Sequence, residues 1–251
     1  MIAHGVPYPG SSRGPAPFDT LWTRAAALAV LEAGGSVNQH RYADAVVHHD
    51  DAGGNEWRLA RVEGGRGVLA GADHECDIHI DLPGYDPYAG PDWLPWTWFT
   101  SLENHREQAF AYWWDGTAWD RIDYPDAITN DGLDMLLPHL CTTERAAGQV
   151  LDFLDVSPAT DAWEEGFPLV RRVLDLAETR SGTEGEWHEA LDHVLAFAER
   201  QDSEHLDWEE DEFDPSAAMT VARATGLIKG FEAEVKPAGH GRPEGWVPRL
   251  G

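Results

Sequence analysis

Residues 106–125 read REQAFAYWWDGTAWDRIDYP, and this stretch decides the fold class. Two aromatic-rich runs flank Asp115 and Gly116, residue types that supply the tight backbone of a hairpin turn. Both runs are therefore predicted as antiparallel strands. In a strand over 107–114 successive side chains point to opposite faces, so one of Trp113 and Trp114 turns into the core and the other outward.

Upstream the same signal recurs in weaker form. His40–His49, Trp57–Ala60 and GVLAGA at 67–72 are short apolar runs separated by DDAGGN at 50–55 and by Gly64 and Gly65, which reads as an antiparallel meander. From Ala72 to Asp81 the alternation continues, with Asp73, Glu75, Asp77, His79 and Asp81 on one face and His74, Cys76, Ile78 and Ile80 on the other. This predicts a further extended segment. LPGYDPYAGPDWLP at 82–95 holds four prolines and two glycines and reads as an aromatic-rich loop, followed by a short helix over Trp96–Leu102. Asp19 and Thr20 are caps for a helix over 20–33 ending at Gly34 and Gly35, and the proline-rich residues 1–17 read as an irregular tail.

Downstream the period changes. Trp163, Phe167, Val170, Leu174 and Ala177, then Trp187, Leu191, Val194 and Ala198, follow helical spacing on either side of Gly182 and Gly185. They predict a helical hairpin, with a final helix over about 215–228. The fold class is thus α+β. An N-terminal helix packs on an antiparallel sheet of about five strands in a domain over 18–140, and an all-helical extension over 141–251 contains the acidic segment 199–214.

Composition bounds the function. The chain has 251 residues, 42% apolar content and 12 Trp, enough for a packed core, yet a formal net charge of -27. Binding a phosphate backbone rests on cationic groups, so direct nucleic-acid binding is excluded as the leading idea. Cys76 and Cys141 are too few for a disulfide framework. The N-terminus lacks the cationic start and apolar run of a secretory signal, and no stretch approaches 18 consecutive apolar residues. These readings place the protein in the cytoplasm, away from any membrane.

Three groups of residues invite chemistry. The carboxylates of 199–214, with Glu204, Asp207, Glu209, Glu210, Asp211 and Glu212 around Trp208 and Phe213, can mimic phosphates before a cationic groove. The loop aromatics Tyr85, Tyr88 and Trp93 are candidate partner contacts, because irregular segments on a rigid sheet often carry recognition. His48 or His49 with Asp73, His74 and Glu75 offers nitrogen and oxygen donors for a divalent metal, although no HExxH order accompanies them. GxSxG and GK[ST] signatures are absent, so neither an activated serine nor a phosphate loop is expected.

Residues 67–140 carry a further signal. Gly71, Asp73, His74 and Glu75 form a G-x-D-H-E core; Trp119, Ile122, Tyr124 and Pro125 form a hairpin element that is W-x(2)-I-x-[FY]-P in this chain, two residues shorter between Trp and Ile than the group's W-x(4)-I-x-[FY]-P; Asp131, Gly132, Asp134, Leu136 and Leu137 form D-G-x-D-x-L-L. This combination resembles a group of bacterial, largely actinobacterial, proteins similar to the immunity proteins of polymorphic or contact-dependent toxins. Cys76 stands where that group more often has serine. The resemblance covers roughly the first 140 residues and implies a cytoplasmic inhibitor without catalysis.

The leading expectation is an acidic, cofactor-free binding protein, an immunity-like inhibitor of a cationic, nuclease-type toxin. A metal-dependent hydrolase built on His48, His49, Asp73, His74 and Glu75 is the first alternative. A non-catalytic scaffold or regulator is the second.

Overall fold

A computed structural model describes residues 6–35, 39–78, 85, 89–101, 109–202 and 214–242. The class is α+β: an N-terminal helix, an antiparallel six-stranded sheet, then helices. Helix α1 is Phe18–Ala33. The strands are β1 (His40–Ala43), β2 (Val46–Asp50), β3 (Glu56–Val62), β4 (Arg66–Ala72), β5 (Phe110–Trp114) and β6 (Trp119–Arg121), adjacent in space in sequence order. The sheet has one strand more than expected because the run His40–His49 folds on itself, with Asp44 and Ala45 both at positive φ in a two-residue turn. Within its described part, residues 73–78, the extended segment expected over 72–81 gives way to a turn. β4 stops at Ala72, and the Asp73 carboxylate and carbonyl take the N–H groups of Glu75 and Cys76 at 2.7 and 3.2 Å, closing a turn. His79–Asp81 lie outside the described residues.

The chain divides into two compact units. The sheet unit joins the start of the chain to Phe18, His48–Leu137 and the chain from Val235 onward. Its centre is β4, buried along nearly its whole length, with β3 and β5 on either side. The predicted hairpin is β5 and β6, paired from Tyr112 with Arg121 to Trp114 with Trp119. Asp115 Oδ1 fixes its turn by accepting from Thr117 N, Thr117 Oγ1 and Ala118 N. Trp113 is buried and Trp114 half-exposed at the strand's end, while Phe110–Trp113 are all buried, so β5 is covered on both faces. Gly71 lets β3 come close, since a Cβ there would stand 2.1 Å from the Glu56 carbonyl oxygen.

Residues 6–17 contain no helix or strand, yet they are held by their own unit. Val6 N–H donates to the Trp119 carbonyl, Trp119 Nε1 donates to Ala16, and buried Tyr8 meets Tyr112 edge-on. They cover the outer edge of β6, one way of blunting an exposed strand.

The helical unit joins Asp19–Val47 to Pro138–Glu234. It contains most of α1 together with α4 (Thr143–Phe153), α5 (Asp161–Thr179), α6 (Glu184–Asp202) and α7 (Pro215–Ala224). The short helices α2 (Trp96–Ser101) and α3 (Leu133–Leu136) belong to the sheet unit. Each long C-terminal helix starts at a polar cap: Thr142 accepts from Arg145 N, Thr160 from Trp163 N, and Asp214 from Ser216 and Ala217 N. Thr183 and Glu186 exchange side-chain-to-backbone hydrogen bonds at the start of α6, a capping box. Inside the unit, buried Trp22 of α1 donates its indole N–H to the Thr225 carbonyl at 3.0 Å. Among the described residues no helix is long and apolar enough to cross a membrane.

Candidate functional site

The three sequence motifs of the resemblance meet in the sheet unit. Asp131 is buried, and its Oδ2 accepts the Tyr112 hydroxyl at 2.6 Å and the Tyr124 hydroxyl at 2.9 Å, while Oδ1 takes Leu133 N–H. Burial raises the Asp131 carboxyl above the usual carboxylate range despite these donors, and burial beside Asp131 raises both phenols as well. Gly132 (φ 88°) lies against the Asp73 side chain, with a hypothetical Cβ 2.3 Å from Asp73 Cβ. The Asp77 carboxylate takes Thr129 N, Thr129 Oγ1 and Asn130 N. The motifs are thus joined by packing and hydrogen bonds that fix loops.

The proposed metal ligands are not assembled. Asp73 is buried with its carboxylate on Glu75 N–H, whereas the His74 and Glu75 side chains are 55% and 75% exposed. His74 Nδ1 lies 2.8 Å from Asn55 Oδ1, and Asn55 Nδ2 donates in turn to Asp51, so this histidine closes the β2–β3 loop. On β2, His48 is half-buried and His49 is buried with its ring stacked on Trp57. Among the described residues no group of three or more His, Cys, Asp or Glu is arranged to hold a metal ion. Half-buried Cys76 has its thiol pushed up by burial, the opposite of what an activated nucleophile needs.

Of the candidate partner contacts, Tyr85 and Trp93 are described. Tyr85 is half-buried, donates its hydroxyl to the Ala109 carbonyl and lies against Tyr124. Half-buried Trp93 carries the Arg66 guanidinium 4.8 Å from its ring centroid. Both are engaged inside the sheet unit. Tyr88, Glu204, Asp207, Trp208, Glu209, Glu210, Asp211, Glu212 and Phe213 lie outside the described residues.

Two features escape a reading by spacing alone. In the helical unit Glu32 of α1 accepts the backbone N–H of His40 through one carboxyl oxygen and shares a hydrogen bond with its ring Nδ1 through the other, and the His139 ring meets His40 edge-on. Burial raises Glu32 to a pKa of about 8 and lowers His40 to about 3, so the pair is neutral near neutrality. The second feature is the distribution of charge. The helical unit carries 26 Asp and Glu against nine Lys and Arg, and six of its arginines already hold carboxylates: Arg24, Arg171, Arg172, Arg180, Arg200 and Arg223.

No family model, no curated protein and no solved structure matches this chain.

Proposed function

We propose that this chain is an acidic binding protein that captures a cationic protein partner, in the manner of an immunity protein neutralising a nuclease-type toxin in the cytoplasm. The observation that carries the reading is the helical unit's excess of carboxylates over cations, most of which are already engaged with carboxylates of the same unit. Such a field steers a basic surface toward the protein and repels nucleic acid, and it acts through association rate more than through any one contact. The resemblance of residues 67–140 to immunity-like proteins supplies the toxin half of the reading. The bonded roles of Asp73, Asp131 and Tyr124 fit a rigid scaffold that does no chemistry.

The test is capture from native lysate at low salt and release at high salt, followed by assay. The released protein should be basic, and its nucleic-acid-cleaving activity should fall when the chain is added back in equimolar amount. A basic protein whose activity is untouched removes the inhibitor reading. Retention that ignores salt removes the electrostatic one.

A further inference from the structure

The cationic-partner reading leaves open where the partner sits, and α4 and α5 offer a described surface with the right chemistry. Trp163 and Phe167 are one turn apart on α5, with rings stacked at 5.5 Å between centroids and 25° between planes, and both are half-exposed. The indole reaches over Gly148 of α4: a Cβ at that glycine would stand 3.5 Å from Trp163 Cη2. With only a hydrogen at position 148, that residue adds no side chain over the ring.

Carboxylates border this aromatic pair. Glu144, Gly148 and Asp152 recur every four residues and so form one stripe along α4, and Glu144 and Asp152 are exposed. Asp161 and Glu164 stand exposed in the first turn of α5, with Glu164 three residues before Phe167 and therefore beside it. Arg171, four residues after Phe167, already pairs with Glu144 at 2.8 Å. The remaining anionic rim is Asp152, Asp161 and Glu164.

We propose that this α4–α5 face docks an arginine-bearing segment of the cationic partner, with a guanidinium stacked on the Trp163–Phe167 pair and hydrogen-bonded to the surrounding carboxylates. The inference rests on the reading above and adds its place and its chemistry. A planar guanidinium is weakly hydrated, stacks on aromatic faces and meets a carboxylate through two parallel N–H groups. An ammonium is a strongly hydrated point charge and gains less from the rings. The chain uses the same contact internally, with Arg121 at 4.3 Å from the Tyr124 centroid and Arg66 over Trp93.

The test titrates the full chain with fluorescently labelled hepta-arginine and hepta-lysine, whose equal charge makes their affinity ratio a measure of the stacking surface. Hepta-arginine should bind about five-fold more tightly, from one stacked and bidentate contact. In Trp163→Leu, which keeps apolar volume over Gly148, and in Phe167→Leu, the ratio should fall toward one. Glu164→Gln should weaken both peptides. Circular dichroism confirms that each variant is folded. A ratio unchanged in both leucine variants overturns the docking site while leaving the cationic-partner reading standing. Failure of both peptides to bind the intact chain at low salt overturns that reading itself. A dimer by sedimentation that Trp163→Leu dissociates assigns the face to a second copy and also overturns the proposal.

Discussion

In the sheet unit Asp51, Asp73, Asp77, Asp115 and Asp131 all accept hydrogen bonds from donors of the same unit, whereas in the helical unit Glu144, Asp152, Asp161 and Glu164 stand on exposed helix faces. One residue class thus has two uses. A carboxylate that fixes a turn or receives a buried hydroxyl is structural, and its loss is felt in stability. An exposed carboxylate contributes to the long-range field, and its loss is felt in association rate and salt dependence.

The sharpest way to break this comparison is to remove one carboxylate from each side. Asp131→Ala leaves the Tyr112 and Tyr124 hydroxyls and Leu133 N–H without their acceptor in the interior, and should cost about 3 kcal/mol in urea unfolding. Glu164→Gln on the exposed face of α5 should stay within about 0.5 kcal/mol. Equal costs would erase the distinction.

Glycine sharpens it next. Gly132 holds φ 88° against Asp73, so Gly132→Ala should destabilise by about 2 kcal/mol. Gly185, in the first turn of α6, has an ordinary helical backbone and no atom within 4 Å of where an added methyl would stand, so Gly185→Ala should stabilise by up to about 1 kcal/mol. Thermal unfolding of the two variants should move in opposite directions.

The helical unit has structural carboxylates too, Asp214 and Glu186 at helix caps and Glu32 beside His40, and pH exposes the buried Glu32–His40 pair. Glu32 rises from 4.5 to about 8 on folding, so its contribution is complete below 4.5 and is lost as pH climbs through 8. His40 falls from 6.5 to about 3, so its contribution is present above 6.5 and lost as pH drops through 3. Between 4.5 and 6.5 both states of the chain hold one proton on the pair, and stability from it is flat. From 6.5 toward 8 it should fall by about 1.4 kcal/mol per pH unit, and Glu32→Gln should abolish that alkaline limb. A limb that survives the substitution assigns it to another group.

Much of this architecture was legible where a local rule sufficed. Asp115 and Gly116 announced the β5–β6 hairpin, and the spacings of Trp163 to Ala177 and Trp187 to Ala198 announced α5 and α6. The alternation over 72–81 misled because it also fits a turn whose polar residues bond one another, as Asp73 and Glu75 do. The site was less legible. That Asp131 meets Tyr112 and Tyr124, or that Glu32 meets His40, depends on distant segments whose pairing no spacing encodes. The inclusion of α1 in the helical unit is hidden for the same reason: an apolar helix face states that it will be buried without stating against what.

The smallest effect lies in two turns that do similar work with different residues. The β3–β4 turn places Gly64 and Gly65 at φ 79° and 73°, where glycine carries no Cβ penalty, while the β1–β2 turn holds Asp44 and Ala45 at φ 54° and 59°. Aspartate tolerates that region through local hydrogen bonding, whereas Ala45 sets the burial of its methyl against the contact between its Cβ and the carbonyl oxygen. Ala45→Gly relieves this contact, while it gives up a buried methyl and loosens the unfolded chain, so relief is opposed by two losses. Because a two-residue turn with φ positive at both positions favours glycine at the second, relief should win by about 0.5 kcal/mol in urea unfolding. Gly65→Ala, at the last residue of the three-residue β3–β4 turn, should lose about 1 kcal/mol although nothing lies within 4 Å of its added methyl. If the two exchanges do not differ in sign, backbone conformation is not what separates the turns.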